Sequence, residues 1–335
     1  MSREERGAVG VSQPSVLVVT LNWNGWKATL NSVESVLRLN YWNLRVLMID
    51  NGSADGSVEH LRSFCGDRVD LLELPENRGY TGGCNEGFKH ALAAGVDYVW
   101  LLNNDSEVVD KDTLQSLVAL AESDPKIGLA TPRIAVPGVE KRLTYCGGVC
   151  SVNPVIYDET CDPEEARRWA EKYPNAGLAL GTAMLVKTSL IRKIGMLDER
   201  FFAYFEDIDY SLRSSQAGFR NIVDENHIVR HEEKNRNNNP LEMKPHYWYY
   251  WARNEYWFWR KHLGPIGALR RSWWAFDRMM RNLRACRENQ DACNAILAGT
   301  WHGWINKKGA YRSEFRMPRL LAAVVWRYAM ARGEK

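Results

Sequence analysis

VDYVWLLNND, residues 96–105, is an apolar run that stops abruptly at two amides and a carboxylate, Asn103, Asn104 and Asp105. It is too short for a typical helix, and it reads as a buried strand running into a polar turn. The chain before it alternates in the same way. PSVLVVTLNWNGW (14–26) is a β-branched run opening into an Asn/Gly loop. KATLNSVESVLRL (27–39) sets Leu30, Val33, Val36 and Leu37 at helical spacing, and NLRVLMIDNGSADGS (43–57) is a second strand that ends at Asp50. SVEHLRSFC (57–65) predicts a helix, VDLLELPEN (69–77) a short strand, GCNEGFKHALAAG (83–95) a helix and DKDTLQSLVALAESDP (110–125) another. Strands alternating with helices predict an α/β fold, a parallel sheet covered on both faces. In such sheets ligands bind beyond the carboxyl ends of the strands, where Asn22, Asp50 and Asp105 fall.

Composition narrows the function classes. At 335 residues, 45% hydrophobic and 25% charged, the chain can bury a substantial core. The formal net charge is only +3, and no basic helix of a DNA-reading kind stands out, so nucleic acid is not an expected partner. The N-terminal segment is polar without a signal-like apolar region, and no stretch approaches the length that spans a bilayer, which points to the cytoplasm. The seven cysteines show no CxxC pair or zinc spacing and read as reduced thiols.

Four stretches carry candidate chemistry. DNGSADGS (50–57) imitates the first half of an EF-hand loop, but Arg62 stands where the twelfth position requires a bidentate Glu, so calcium is rejected. The stretch remains a turn that caps the next helix, or one whose Asp50 accepts hydrogen bonds from a nucleobase. ENRGYTGGCNEG (76–87) has neither a Walker lysine nor GxGxxG. Its Gly82, Gly83 and Asn85 suit either a tight turn or a close approach of phosphate or sugar to backbone, with Arg78 as the charged partner. FAYFEDIDYSLR (202–213) gathers Glu206, Asp207 and Asp209 among aromatic rings. Lost hydration there makes a carboxylate a stronger base, while acids at a helix N-terminus are also favoured by the dipole. HEEKN (231–235) offers His231 as a nitrogen ligand or an ordinary surface histidine.

In this order the motifs resemble the family 2 inverting glycosyltransferases, nucleotide-sugar enzymes of the GT-A fold, and the likeness covers residues 14–235. The NND and FEDID variants bring it nearest to bacterial rhamnosyltransferases and related cell-surface glycan enzymes. The resemblance implies a Rossmann-like, mostly parallel sheet flanked by helices. Asp50 would bind the pyrimidine, with Thr20, Asn22 and Ser53 nearby. Asp105 would be the working acid of a DxD-type motif for Mg or Mn, with Asn103 in place of the usual first acid and Asn104 between them. His231 would be a second metal ligand. Glu206 and Asp207 match the family's ED motif, Asp207 as catalytic base and Asp209 as a capping or supporting acid, although Glu206 and Asp207 could exchange roles. The implied donor is dTDP-rhamnose, or a UDP-sugar such as UDP-galactofuranose, UDP-glucose or UDP-N-acetylglucosamine. The acceptor is a glycan, lipid-linked or secondary-metabolite hydroxyl. The lost acid at Asn103 is the one argument for a nucleotide-sugar-binding protein without turnover.

Domain expectations are a flexible 1–13, a catalytic 14–240 and a helical 241–335. The last segment changes character, because residues 251–335 hold 17 Lys and Arg against 6 Asp and Glu, and nine of the 14 Trp follow His246. HYWYYWARNEYWFWRKHLGPIGALRRSWWAF suits a surface at the headgroups of the inner membrane face, or equally the core of a helical extension or a homodimer interface.

Overall fold

The computed structural model describes residues 13–137, 142–232 and 240–331. The expected flexible N-terminus lies outside these residues except for Gln13, and so does most of the polar loop before Pro240. The first half follows the alternation: β1 (Val16–Asn22), α1 (Trp26–Leu37), β2 (Leu44–Asn51), α2 (Ser57–Ser63), β3 (Val69–Leu74), α3 (Gly79–Ala94) and β4 (Tyr98–Leu102). Then come β5 (Ser106–Val108), α4 (Thr113–Glu122), β6 (Ile127–Ala135), β7 (Leu143–Tyr145), β8 (Gly147–Val152), β9 (Val155–Thr160) and α5 (Pro163–Lys172). The sheet-bearing part closes with β10 (Ala183–Lys187), α6 (Thr188–Ile194), α7 (Glu206–Gln216) and β11 (Arg220–His231), and the helices α8 (Pro245–Ala285), α9 (Gln290–Trp304) and α10 (Arg319–Ala331) follow.

The main sheet runs β3-β2-β1-β4-β10-β6-β11-β5, with β7 beside β6. Its first four strands are parallel, as the alternation requires. Beyond them β10 enters antiparallel to both β4 and β6, and β11 is again parallel to β6. Strand side chains alternate between two cores: Val18, Trp100 and Leu185 pack with α1 and α4, and Val19, Leu101 and Val186 with α3 and α6. Each fully buried side chain of this kind contributes roughly 1.5–3 kcal/mol.

β4 and β5 are separated by three residues yet stand at distant places in the strand order, so the sheet curls and residues 103–105 bridge the curl. The antiparallel register of β11 on β5 sets His231 opposite Ser106. That register brings a residue from the last strand of the sheet beside the turn that ends β4.

Candidate active site

At the ends of β1 and β2 the side chains form one buried network. Asn22 donates from Nδ2 to Asp50 Oδ2 (2.7 Å) and Ser53 Oγ (3.1 Å), while its Oδ1 accepts from Thr29 Oγ1 (2.8 Å). Ser53 N–H donates to Asp50 Oδ1 (2.9 Å). Asp50 is thereby oriented at the strand tip, and a carboxylate with four lone-pair sites can still accept from a ligand. Asn104 joins the network by donating to Thr29 Oγ1 (3.0 Å). The Thr20 hydroxyl is buried with no hydrogen-bond partner among the described residues.

Residues 103–105 and the end of β11 meet. His231 Nε2 lies 2.9 Å from Asp105 Oδ1 and 3.2 Å from Asn103 Nδ2. Asn103 Oδ1 is buried with no hydrogen-bond partner among the described residues. Orphaned buried oxygens are costly, so this one marks a place where a partner belongs. A carboxylate, an amide oxygen and an imidazole suit Mg or Mn when further oxygens complete the shell. Among the described residues no three His, Cys, Asp or Glu side chains converge on one point, so these side chains would hold the ion incompletely.

The acids of α7 lie close by. Asn103 N–H donates to Thr182 O (2.9 Å), and the neighbouring Gly181 N–H donates to Asp207 Oδ2 (2.9 Å). Residues 181–182, just before β10, therefore couple the 103–105 turn to Asp207. A Cβ at Gly181 would stand only 3.2 Å from the Asp207 carboxyl, so glycine permits this approach. The other Asp207 oxygen accepts from Ile208 N–H (2.9 Å). Glu206 is buried, and burial, reinforced by the charges of Asp207 and Asp209, pushes its carboxyl well above the usual range. Asp209 does not cap the helix. It is fully buried and meets Arg213 Nε (2.8 Å), Lys261 Nζ (2.6 Å) and His262 Nε2 (2.7 Å). Burial alone would raise its pKa, but the hydrogen bond from His262 and the charges of Arg213 and Lys261 hold it below the usual range. Asp209 thus fastens α7 to α8.

Sequence reasoning missed what shapes the segment before α7. Phe202, Tyr204 and Phe205 have φ of 66°, 65° and 75°, a left-handed conformation that is costly for non-glycine residues. Two fully buried side chains of α8 hold it. Asn254 Nδ2 donates to the carbonyls of Phe201 (3.0 Å), Ala203 (2.8 Å) and Tyr204 (2.8 Å), and Arg253 Nη2 donates to Phe201 O (2.8 Å). The α8 aromatics Trp248, Tyr249, Tyr250, Trp257, Phe258 and Trp259 are likewise buried. The first half of this aromatic stretch is therefore core, not membrane-facing surface. The sequence signal was a charged and an amide residue in the middle of an aromatic helix.

The 76–87 stretch departs from expectation. α3 begins at Gly79, so Gly82, Gly83 and Asn85 lie within a helix rather than an open loop. A Cβ at Gly83 would fall 2.3 Å from Leu21 Cδ1, so this glycine lets α3 pack on β1. Asn85 is buried, exchanges hydrogen bonds with the backbone of Leu197 and donates to Glu199. Arg78 pairs with Glu86 and with Glu199 (3.2 Å), contacts it would have to leave to reach a phosphate.

A curled mixed sheet with polar strand tips, a carboxylate–imidazole pair and an acid-bearing helix start defines the class of GT-A folds. The profile of glycosyl transferase family 2 matches residues 15–195, and the chain belongs to that family. A poly-beta-1,6-N-acetyl-D-glucosamine synthase of Staphylococcus aureus is 32% identical over 107 residues, 31% of this chain and 25% of that protein. The chain spans a quarter or less of the length of the curated relatives that it matches. A mannosyltransferase from Pyrobaculum calidifontis, solved with GDP-Man and Mn2+, superposes at a TM-score of 0.57 with 17% identity, covering 96% of this chain and 81% of that one. S. aureus TarS 1–349 with UDP-GlcNAc gives 0.54 and 14%, covering 95% and 87%. At these identities the likeness shows the fold. No helix among the described residues is long and apolar enough to cross a membrane.

Proposed function

We propose that this chain is an inverting, divalent-cation-dependent glycosyltransferase with a nucleotide-sugar donor. The observation that carries the reading is the short link from Asn103 through Thr182 and Gly181 to Asp207, which sets a proton acceptor beside the Asp105–His231 pair. Asp50, held by Asn22 and Ser53, orients the base of the donor. A bound Mg or Mn, held by Asp105, His231 and the orphaned Asn103 oxygen, would offset charge on the departing nucleoside diphosphate. Asp207 takes the proton from the acceptor hydroxyl as it attacks the anomeric carbon, a single displacement that inverts the centre. Burial and the neighbouring charges of Asp207 and Asp209 push the Glu206 carboxyl well above the usual range, which favours Asp207 as the base. Asp105, Glu206, Asp207 and His231 together argue against a binding protein without turnover.

The NND and FEDID variants favour dTDP-rhamnose as donor. A UDP-sugar donor is the second reading, supported by the synthase relative and by the UDP-GlcNAc complex of TarS. The acceptor is a glycan or lipid-linked hydroxyl, and exposed Ile266, Leu269, Trp274 and Leu320 in a basic segment support attachment at the inner membrane face. A donor-hydrolysis screen over dTDP-, UDP- and GDP-sugars, with and without Mn or Mg, tests the reading. Turnover of one donor only with metal is expected; metal-independent turnover, or none with any donor, would reject it.

A further inference from the structure

A cavity of about 510 Å³ lies among the two halves of α8, α9 and α10, away from the strand tips. Its wall includes Trp248, Trp251, Phe276, Met279, Ile296 and Val325. Protein interiors rarely leave voids larger than a water molecule, and this volume falls in the range of about 300–1,000 Å³ typical of small-molecule sites. An apolar cavity binds apolar groups in preference to water. One corner is polar: Glu255, nearly buried, stands 3.6 Å from Arg278 Nε, beyond hydrogen-bond distance. That Nε is buried with no hydrogen-bond partner among the described residues. The wall thus provides a long apolar surface with a few hydrogen-bonding positions, among them Arg278 Nε and the indole nitrogens of Trp248 and Trp251, which have no hydrogen-bond partner among the described residues.

Two further observations say what enters. Trp304, Val324 and Tyr328 line the cavity and are also 52%, 65% and 42% exposed, so the mouth opens on the apolar outer surface of the C-terminal helices. Inside, Trp251 packs edge-on against Phe205 (5.0 Å between centroids, 72°), the residue directly before Glu206 and Asp207. The cavity therefore runs from an apolar surface to the back of the segment that carries the proposed base.

We propose that this cavity receives the hydrocarbon chain of an amphiphilic acceptor, an isoprenoid or acyl alcohol or its phosphate. The assignment of the occupant as acceptor rests on the glycosyltransferase reading. The mouth takes the chain from an apolar phase, and the reacting hydroxyl stays outside the cavity.

The full chain, titrated with farnesol, farnesyl phosphate or inorganic phosphate below the aggregation limit, reports binding through the fluorescence of the wall tryptophans. Saturable quenching by both farnesyl probes is expected, with none by inorganic phosphate. Ala275→Trp fills the cavity and should weaken both at least tenfold while nucleoside diphosphate affinity stays unchanged; Ala252→Trp serves if the first variant melts early. Absent saturation, or equal affinity in a folded filled variant, overturns the proposal, as does quenching by inorganic phosphate alone, which would mark an anion site. Farnesol binding without any donor turnover would retain the cavity as a lipid site and remove the glycosyltransferase reading. Turnover onto a farnesyl-linked acceptor that Ala275→Trp leaves unchanged would remove the acceptor role.

Discussion

Replacing Asn254 with Leu keeps the branching of a fully buried side chain and removes its donors. The carbonyl of Phe201 retains Arg253, but those of Ala203 and Tyr204 lose a partner at 2.8 Å each. The two lost hydrogen bonds cost together about 1–3 kcal/mol. The three left-handed residues that these bonds hold store strain of about 1–3 kcal/mol each. The two quantities are of the same order, so the segment relaxes instead of the whole fold unfolding. Glu206 and Asp207 follow directly in the chain and move with it. A displacement near 1 Å costs on the order of 100-fold in rate. The assay is steady-state transfer with kcat and KM resolved, alongside nucleoside diphosphate binding and thermal melting. The expected result is kcat lower by about 100-fold, with nucleotide affinity within about twofold because Asp50 and Asn22 lie on other strands. A protein that melts earlier yet keeps its kcat would refute the idea that α8 positions the acids.

Asp207→Asn should abolish transfer while leaving nucleotide binding intact, whereas Glu206→Gln, which replaces a carboxyl that burial makes harder to ionise with a neutral amide, should retain activity within about tenfold in the same assay. His231→Ala should raise the Mn or Mg concentration needed for half-maximal activity, and unchanged metal dependence would leave Asp105 to act with the nucleotide alone. Gly83→Ala forces a methyl into Leu21 and should cost about 1–3 kcal/mol in denaturant titrations without altering nucleotide affinity, since this glycine serves packing. His302 is buried beside Tyr249, and burial pushes its pKa down to about 4, with Lys307 and Arg253 adding to the effect. Between the ordinary value of 6.5 and about 4 the unfolded chain takes up a proton that the folded protein refuses, so stability falls as pH drops through that window. Denaturation at pH 5 against pH 7 should show a loss of about 2 kcal/mol that His302→Gln removes.

The legible parts of the fold were those with local causes. The β-branched runs, the helical spacing of Leu30, Val33 and Val36, and the strand ends at Asn22, Asp50 and Asp105 follow from periodicity, because one strand or helix shows its buried face in its own residues. The packing role of Gly83 was not legible, since a glycine needed for packing and one needed for a ligand look alike until Leu21 is placed opposite. The aromatic C-terminal segment was ambiguous for a similar reason: tryptophans at a membrane and tryptophans in a core have the same composition. Packing assigns the first half of α8 to the core and leaves Ile266, Leu269 and Trp274 outside.

By itself the sequence determined the alternating α/β plan, the family and the residue types at the strand tips, since these depend on local pattern and motif order. Only the tertiary structure decided that β10 runs antiparallel, that β11 carries His231 across the curl to Asp105, and that Asn254 of α8 holds the segment before Glu206. The physical reason is the same in each case. Pairing register, burial and hydrogen-bond partners are relations between residues far apart in the chain, and a local pattern does not encode which distant group will complete it.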